Sequence, residues 1–81
     1  MKIKELILQN CGEICRECRK KNRLTMKECA DMMGITESAI SKIESGKVDN
    51  LVYYLFAISD FSWENTIRLL IARMKDVTNN A

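Results

Sequence analysis

Four cysteines are the residues of this sequence whose type and spacing could support metal or redox chemistry. Cys11, Cys15 and Cys18 have the spacing C-x3-C-x2-C, and Cys29 follows later. Thiolates bind zinc and iron–sulfur clusters, but the sequence contains no histidine and lacks a paired C-x2-C arrangement. Because the first three cysteines repeat at helical steps, we interpret them as small apolar core residues and predict no metal and no cofactor.

The C-x3-C-x2-C spacing is similar to the iron–sulfur motif of radical enzymes that use S-adenosylmethionine. That chemistry requires a cluster-binding loop in a large barrel-type domain, and 81 residues are too few to form one. No nucleophile with a nearby base and no pair of carboxylates stands out either. We therefore predict a binding module rather than an enzyme.

Basic side chains are concentrated in one part of a chain whose formal net charge is only +2. Such a cluster favours contact with nucleic-acid phosphates, although cations are also common at solvated C-terminal helix ends. We prefer the phosphate interpretation because the cluster adjoins the motif described next. Residues 16 to 27 carry the six cations Arg16, Arg19, Lys20, Lys21, Arg23 and Lys27, with Glu17 as the single acidic residue.

Two short helices around a glycine are predicted immediately after this cluster. Thr25 and Glu28 have the spacing of a capping box, and Gly34 can end the first helix in the left-handed conformation. Thr36 can cap a second helix of about ten residues, which ends near Gly46. Helix, tight turn and helix form the pattern in which the second helix enters the DNA major groove.

The flanking segments also favour helices, and the absence of proline supports an all-helical chain. Apolar residues recur at helical steps from Ile3 to about Lys21, although residues 2–10 would also permit a strand. Asn50 can cap a fourth helix and Ser62 a fifth. We predict one domain over residues 1–76 and a flexible tail over residues 77–81.

The residue order resembles the phage repressor and Cro-like helix-turn-helix family, which places the helix-turn-helix at about residues 25–45. This resemblance implies a compact five-helix bundle of the lambda-repressor-like DNA-binding type. The four cysteines fall where members usually have Ile or Leu, whereas Met26 replaces a glutamine that often bonds a phosphate. The residues that carry the resemblance are Gly12, Arg19, Leu24, Thr25, Ala30, Met33, Gly34, Ile35, Ile40, Ser41, Ile43, Glu44, Ser45, Gly46 and Lys47.

Contacts with DNA can be assigned from this geometry. The N-terminal residues of the second helix meet base edges, while cations and backbone N–H groups at the start of the first helix hold phosphates. We expect Glu44 to make an intramolecular contact, because an unpaired carboxylate would oppose binding. Base contacts are predicted for Thr36, Glu37, Ser38, Ser41 and Lys42, and phosphate contacts for Arg23, Thr25, Lys27 and Lys47.

The last two helices, at about residues 50–76, carry more apolar side chains than one small core can bury. A surplus apolar patch usually marks a protein contact, and many members of the family pair through their C-terminal helices. Alternatively, the aromatic residues lie half exposed over the core. The predicted dimer interface comprises Phe56, Trp63, Ile67, Leu70 and Met74.

The predicted function is a sequence-specific transcriptional regulator, a repressor that binds a palindromic operator as a homodimer. Its partners are then double-stranded DNA and a second copy, with no membrane and no small-molecule ligand; the protein would be cytoplasmic and encoded by a bacterium or phage. One alternative is a protein-interaction module such as an antitoxin or inhibitor. Another is a thiol- or metal-responsive regulator, although burial lowers thiol reactivity.

Overall fold

A computed structural model describes the backbone of residues 2–79 and the side chains of residues 2–77. The described residues form five helices and no strand, which confirms the all-α fold. The helices are α1 (Ile3–Lys21), α2 (Met26–Met33), α3 (Glu37–Glu44), α4 (Leu51–Ile58) and α5 (Trp63–Asn79). None of these helices is both long enough and apolar enough to span a membrane.

The first helix is continuous, so residues 3–10 extend α1 and do not form a strand. Three basic residues lie in its last turn, where they complement the negative end of the helix dipole. The chain then reverses through Arg23, which has a left-handed φ of 57°. This turn leads directly into the helix-turn-helix.

The ends of α2 and α3 are stabilised by the predicted capping residues. The Glu28 N–H donates to Thr25 Oγ1 (3.1 Å), and the Thr25 N–H donates to Glu28 Oε1 (3.0 Å). Gly34 ends α2 with a φ of 70°. Thr36 Oγ1 accepts the N–H of Ala39 (3.1 Å) and begins α3, which has eight residues rather than about ten.

Caps of the same kind begin α4 and α5, as predicted. Asn50 Oδ1 accepts the N–H of Tyr53 (3.0 Å), and Ser62 Oγ accepts the N–H of Asn65 (3.2 Å). The prediction of a tail from residue 77 is wrong for its first part, since residues 77–79 continue α5. The last two residues of that predicted tail lie outside the described part of the chain.

The core lies between the first four helices. Its largest fully buried side chains are Tyr53, Phe56, Ile40, Cys15 and Cys29. Two of the four cysteines therefore fill the core as predicted, whereas Cys11 and Cys18 are half-buried. A buried cysteine contributes as a small hydrophobe, so the packing itself explains these positions.

A turn of two left-handed residues directs α5 away from this core. Asp60 and Phe61 have φ values of 56° and 55°. Phe61 packs edge-on against Phe56 with ring centroids 5.3 Å apart, and Trp63 stacks on the same ring at 4.1 Å. Beyond the buried Thr66, every residue from 67 to 77 is exposed. The N-terminal turn of α5 is therefore anchored, and the rest of α5 projects from the body, which is the part of the protein formed by α1 to α4.

Candidate nucleic-acid interface

One side of α3 faces solvent, and the opposite side packs into the core. Ile40, Ile43 and Glu44 are buried, with at most 5% of each residue exposed. The exposed side carries polar residues three and four positions apart, which is the spacing of a single helical face. We call this surface, with the preceding cap, the reading face: Thr36, Glu37, Ser38, Ser41 and Lys42.

The reading face offers groups suited to base edges. Glu37 can accept from a cytosine amino group, Lys42 can donate to guanine or to a phosphate, and Ser38 and Ser41 can donate or accept. Thr36 Oγ1 already accepts a backbone N–H, so its hydroxyl has only its proton and one remaining lone pair for DNA. The structure thus brings all five predicted base-contacting residues to one surface.

Three of the four predicted phosphate contacts are exposed cations. Arg23 lies in the turn before α2, Lys27 in the first turn of α2, and Lys47 in the loop after α3. Lys27 lies 3.8 Å from Asp31, and both side chains are about 70% exposed. An exposed pair of this kind contributes little to stability, so Lys27 can exchange it for a phosphate.

The N-terminus of α2 is a poorer anion site than we predicted. Thr25 and Glu28 bond each other, so two backbone N–H groups that would bind a phosphate are already used. The Glu28 carboxylate also places a negative charge at the positive end of the helix. Met26 is half-buried against the core and gives no polar contact here. Phosphate binding at this end would therefore depend on side-chain cations.

Arg19 does not belong to the phosphate-facing cluster, which corrects the sequence prediction. Only 9% of the residue is exposed. Its Nε donates to Glu44 Oε2 (2.8 Å) and its Nη2 donates to Glu44 Oε1 (3.1 Å). Glu44 therefore makes the intramolecular contact that we expected. The two-pronged geometry is the strong form of this interaction.

Two further hydrogen bonds complete this buried network. The Tyr53 hydroxyl donates to Glu44 Oε2 (3.1 Å), and Arg19 Nη1 donates to the Leu24 carbonyl oxygen (3.1 Å). The hydrogen bonds that Arg19 donates to Glu44 raise the pKa of Arg19, and burial raises the pKa of Tyr53. The network joins the ends of α1 and α3 to α4, and thereby holds the reading face in place.

Sequence reasoning missed the role of Tyr53. A tyrosine in a helix that is otherwise apolar is a usable signal, because a buried hydroxyl needs a hydrogen-bonding partner. The polar residue Glu44 at the buried end of α3 was the available acceptor.

Three of the four thiols are poorly suited to redox chemistry. Burial, together with the charge of Glu44, raises the pKa of Cys15 to about 12. Burial also raises the pKa of Cys18 and of Cys29. Since the thiolate is the reactive form, these environments lower reactivity. Among the described residues, no group of three or more cysteine, aspartate or glutamate side chains is arranged to hold a metal ion.

The residues predicted for a dimer interface divide into two groups. Phe56 is fully buried beneath Trp63, so its side chain cannot reach a second chain, and that assignment is wrong. Its position in the middle of α4, which packs on α1, explains the burial. The other four side chains are exposed on α5: Trp63 at 42%, Ile67 at 54%, Leu70 at 45% and Met74 at 67%.

A capped helix-turn-helix with an exposed polar second helix defines a DNA-binding domain. Residues 16–59, more than half of the chain, match the model of the helix-turn-helix family HTH_3. The protein therefore belongs to this family of Cro/C1-type DNA-binding regulators, as its residue order had indicated. No curated protein and no solved structure matches the chain.

Proposed function

We propose that this protein is a sequence-specific transcriptional repressor that binds a palindromic operator as a homodimer. The observation that carries the proposal is the reading face, where five polar side chains share one exposed surface of α3. The buried Arg19–Glu44 pair holds the other end of that helix. Repression requires only that the bound protein occupy a promoter, so no additional activating surface is needed.

Base recognition would come from the reading face. Glu37 favours a cytosine in the contacted strand, and Lys42 favours a guanine or a phosphate. Each well-formed base contact contributes about 1–3 kcal/mol of discrimination. Ser38 and Ser41 accept several bases, so we expect a site with few strongly determined positions in each half.

Dimerisation would supply the affinity that a single copy lacks. Arg23, Lys27 and Lys47 are the exposed cations assigned to phosphates, which is a small number for one protomer. Two copies would present two recognition helices about 34 Å apart, on successive turns of the same groove. The exposed apolar residues of α5 support a contact between copies.

Selection of bound duplexes from a random DNA pool tests this function, with purified protein at low and near-physiological salt. We expect a two-fold symmetric site to be enriched. Three phosphate-binding cations in each of two protomers predict a slope of about −5 for log K against log salt. If the protein retains DNA in a salt-sensitive way but no sequence is enriched, sequence-specific recognition is contradicted.

Paired variants separate base contacts from phosphate contacts. Glu37→Ala should change the preferred base at one position in each half-site and leave the salt slope unchanged. Lys47→Ala should weaken binding to all DNA sequences alike. For the dimer, it should reduce the magnitude of the slope of log K against log salt by about 2. If Glu37→Ala leaves the selected site unchanged, the reading face is assigned to the wrong residues.

The exposed face of α5 favours a second candidate, a protein-interaction module such as an antitoxin or inhibitor. Leu70, Ile71 and Val77 are 45–67% exposed along about two turns of that helix. An apolar contact of this kind keeps its affinity as salt rises, whereas DNA binding weakens steeply. A DNA selection without enrichment, together with salt-insensitive capture of a protein partner, would favour this alternative.

A further inference from the structure

The projecting part of α5 lacks the support that a helix of its length requires. Residues 67–77, which we call the arm, are all exposed, although α5 begins on the core at Trp63 and Thr66. Isolated helices shorter than about 12–15 residues are marginal in water, because most helical stability in proteins comes from packing of an apolar face. The arm therefore needs a surface to cover it.

The apolar stripe on the arm is wider than the seam of a two-helix coiled coil. Ile67, Leu70 and Val77 follow the narrow pattern of such a seam, but Ile71 widens it on one side and Leu69 lies on the other flank. A stripe of this width is typical of a helix that packs onto a globular body. The pattern thus favours a groove as the arm's partner, rather than a second α5.

A groove with mainly apolar walls lies on the body between α1 and α4. It contains an apolar cavity of about 140 Å³. A cavity of roughly this volume can hold a group as large as a benzene ring, so one leucine or isoleucine side chain fits. We call this groove the seat; its walls include Leu8, Cys11, Val48, Leu51 and Tyr54.

The seat also presents exposed apolar atoms at its rim. Leu51 is 64% exposed and Val48 is 40% exposed. Ile3 and Ile7, which follow the same helical stripe of α1 as Cys11, are 75% and 55% exposed. The body therefore has an apolar surface of its own that its four packed helices do not cover. The apolar face of one bound helix would cover this surface.

A pair of opposite charges is available between the two surfaces. Asp49 lines the seat, and Arg73 lies on the exposed arm. Neither residue forms an ion pair within the part of the chain that the structure describes. An arm lying in the seat would bring these opposite charges together.

We propose that the seat binds the arm of a second copy of this chain, with each copy inserting its arm into the other's seat. Arg73 then faces Asp49 of the partner subunit. One reciprocal contact covers both apolar surfaces, whereas pairing of two arms would leave the seat exposed. This inference rests on the homodimer of the proposed function and specifies which surfaces form it.

Single variants at exposed positions test each surface by sedimentation equilibrium. Leu51→Glu in the seat and Leu70→Glu on the arm should each weaken dimerisation at least 100-fold, because each places two charges in an apolar contact. Val52→Glu is the matched control: Val52 is 53% exposed on the same helix but does not line the cavity, so the dimer should persist. Circular dichroism verifies that each variant is folded.

Mixing the two defective proteins distinguishes exchange of arms from pairing of arms. In the exchanged dimer, the intact arm of Leu51→Glu can enter the intact seat of Leu70→Glu, so one of the two contacts forms. We expect the equimolar mixture to form a heterodimer at least tenfold more tightly than either variant pairs with itself. The charge-swapped variant with Asp49→Arg and Arg73→Asp should dimerise better than either single change.

Two outcomes would overturn the exchanged dimer alone. If Leu51→Glu dimerises like the original protein, the seat is not used and the arms pair with each other. If the mixture stays as monomeric as each variant by itself, the two copies do not exchange arms. If the unaltered protein is itself monomeric, the homodimer of the proposed function also fails, while the random-pool selection still reports independently on DNA recognition.

Discussion

Removal of Arg19 is the most informative perturbation of the buried network. The side chains of Arg19 and Glu44 are 10% and 3% exposed, so water cannot replace a missing partner. Arg19→Met keeps much of the aliphatic stem but leaves the Glu44 carboxylate with the Tyr53 hydroxyl alone. It also removes the donor that satisfies the Leu24 carbonyl oxygen.

The expected magnitude follows from the uncompensated charge. Loss of one partner from a buried ion pair costs about 3–5 kcal/mol. A domain of 81 residues has a free energy of unfolding of roughly 4–12 kcal/mol. Arg19→Met should therefore remove a large share of the stability. Tyr53→Phe leaves both hydrogen bonds between Arg19 and Glu44 in place and should cost only about 1–2 kcal/mol.

Simultaneous removal of the polar groups provides the control. In the triple variant Arg19→Met, Glu44→Leu and Tyr53→Phe, no buried charge or hydroxyl of this network remains unpaired. Replacement of a buried ion pair by apolar residues of similar size is often neutral or stabilising. The triple variant should therefore be more stable than Arg19→Met alone, by at least about 2 kcal/mol.

Urea unfolding monitored by circular dichroism measures these differences. The fluorescence of Trp63, the single tryptophan, provides a second probe and a test of two-state behaviour. A cost below about 1 kcal/mol for Arg19→Met would refute the argument, since that value is typical of a solvated pair. A triple variant no more stable than Arg19→Met would mean that the loss arises from packing rather than from charge.

Three further predictions concern individual sites. Glu28→Gln keeps the capping box but removes the negative charge at the start of α2. The affinity for DNA, measured by fluorescence anisotropy at low salt, should therefore rise about three- to tenfold. An unchanged affinity would mean that no phosphate binds near this helix end. Gly12→Ala should lower the free energy of unfolding, measured in urea, by about 1–3 kcal/mol. The reason is that the added Cβ would lie 2.6 Å from the carbonyl oxygens of Ile43 and Glu44. An unchanged stability would exclude this close approach of α1 and α3. Because the pKa of Cys15 rises from 9.0 to about 12 on folding, its contribution to stability is full below pH 9 and is lost as pH rises towards 12. Urea midpoints measured between pH 8 and about 11 should fall less steeply in Cys15→Ala, and equal slopes would contradict the shift.

The starts of α2 to α5 were predictable because their signals are local. Thr25, Thr36 and Asn50 each cap a helix through a backbone N–H three residues further along the chain. Such pairs are visible in the sequence without knowledge of the tertiary fold. The exposed face of α3 was predictable for the same reason, since helical periodicity separates Ser38 and Ser41 from Ile40.

The burial of particular residues was less predictable. Arg19 stands among other cations, and nothing in its immediate neighbours indicates that it pairs with Glu44, 25 positions away. Phe56 was assigned to an interface because α4 is apolar almost all around. Its place in the core depends on how α4 packs against α1 and on the position of Trp63 above its ring.

The amino-acid sequence alone therefore determined the start of four helices with their caps and the polar stripe that forms the reading face, but it left residues 2–10 open between helix and strand. These features depend on interactions within a few residues, where spacing defines geometry. Tertiary structure decided that Arg19 leaves the basic cluster, that Tyr53 completes a buried network, and that α5 projects from the body. These outcomes depend on contacts between distant segments, because a side chain becomes buried only when another helix covers it.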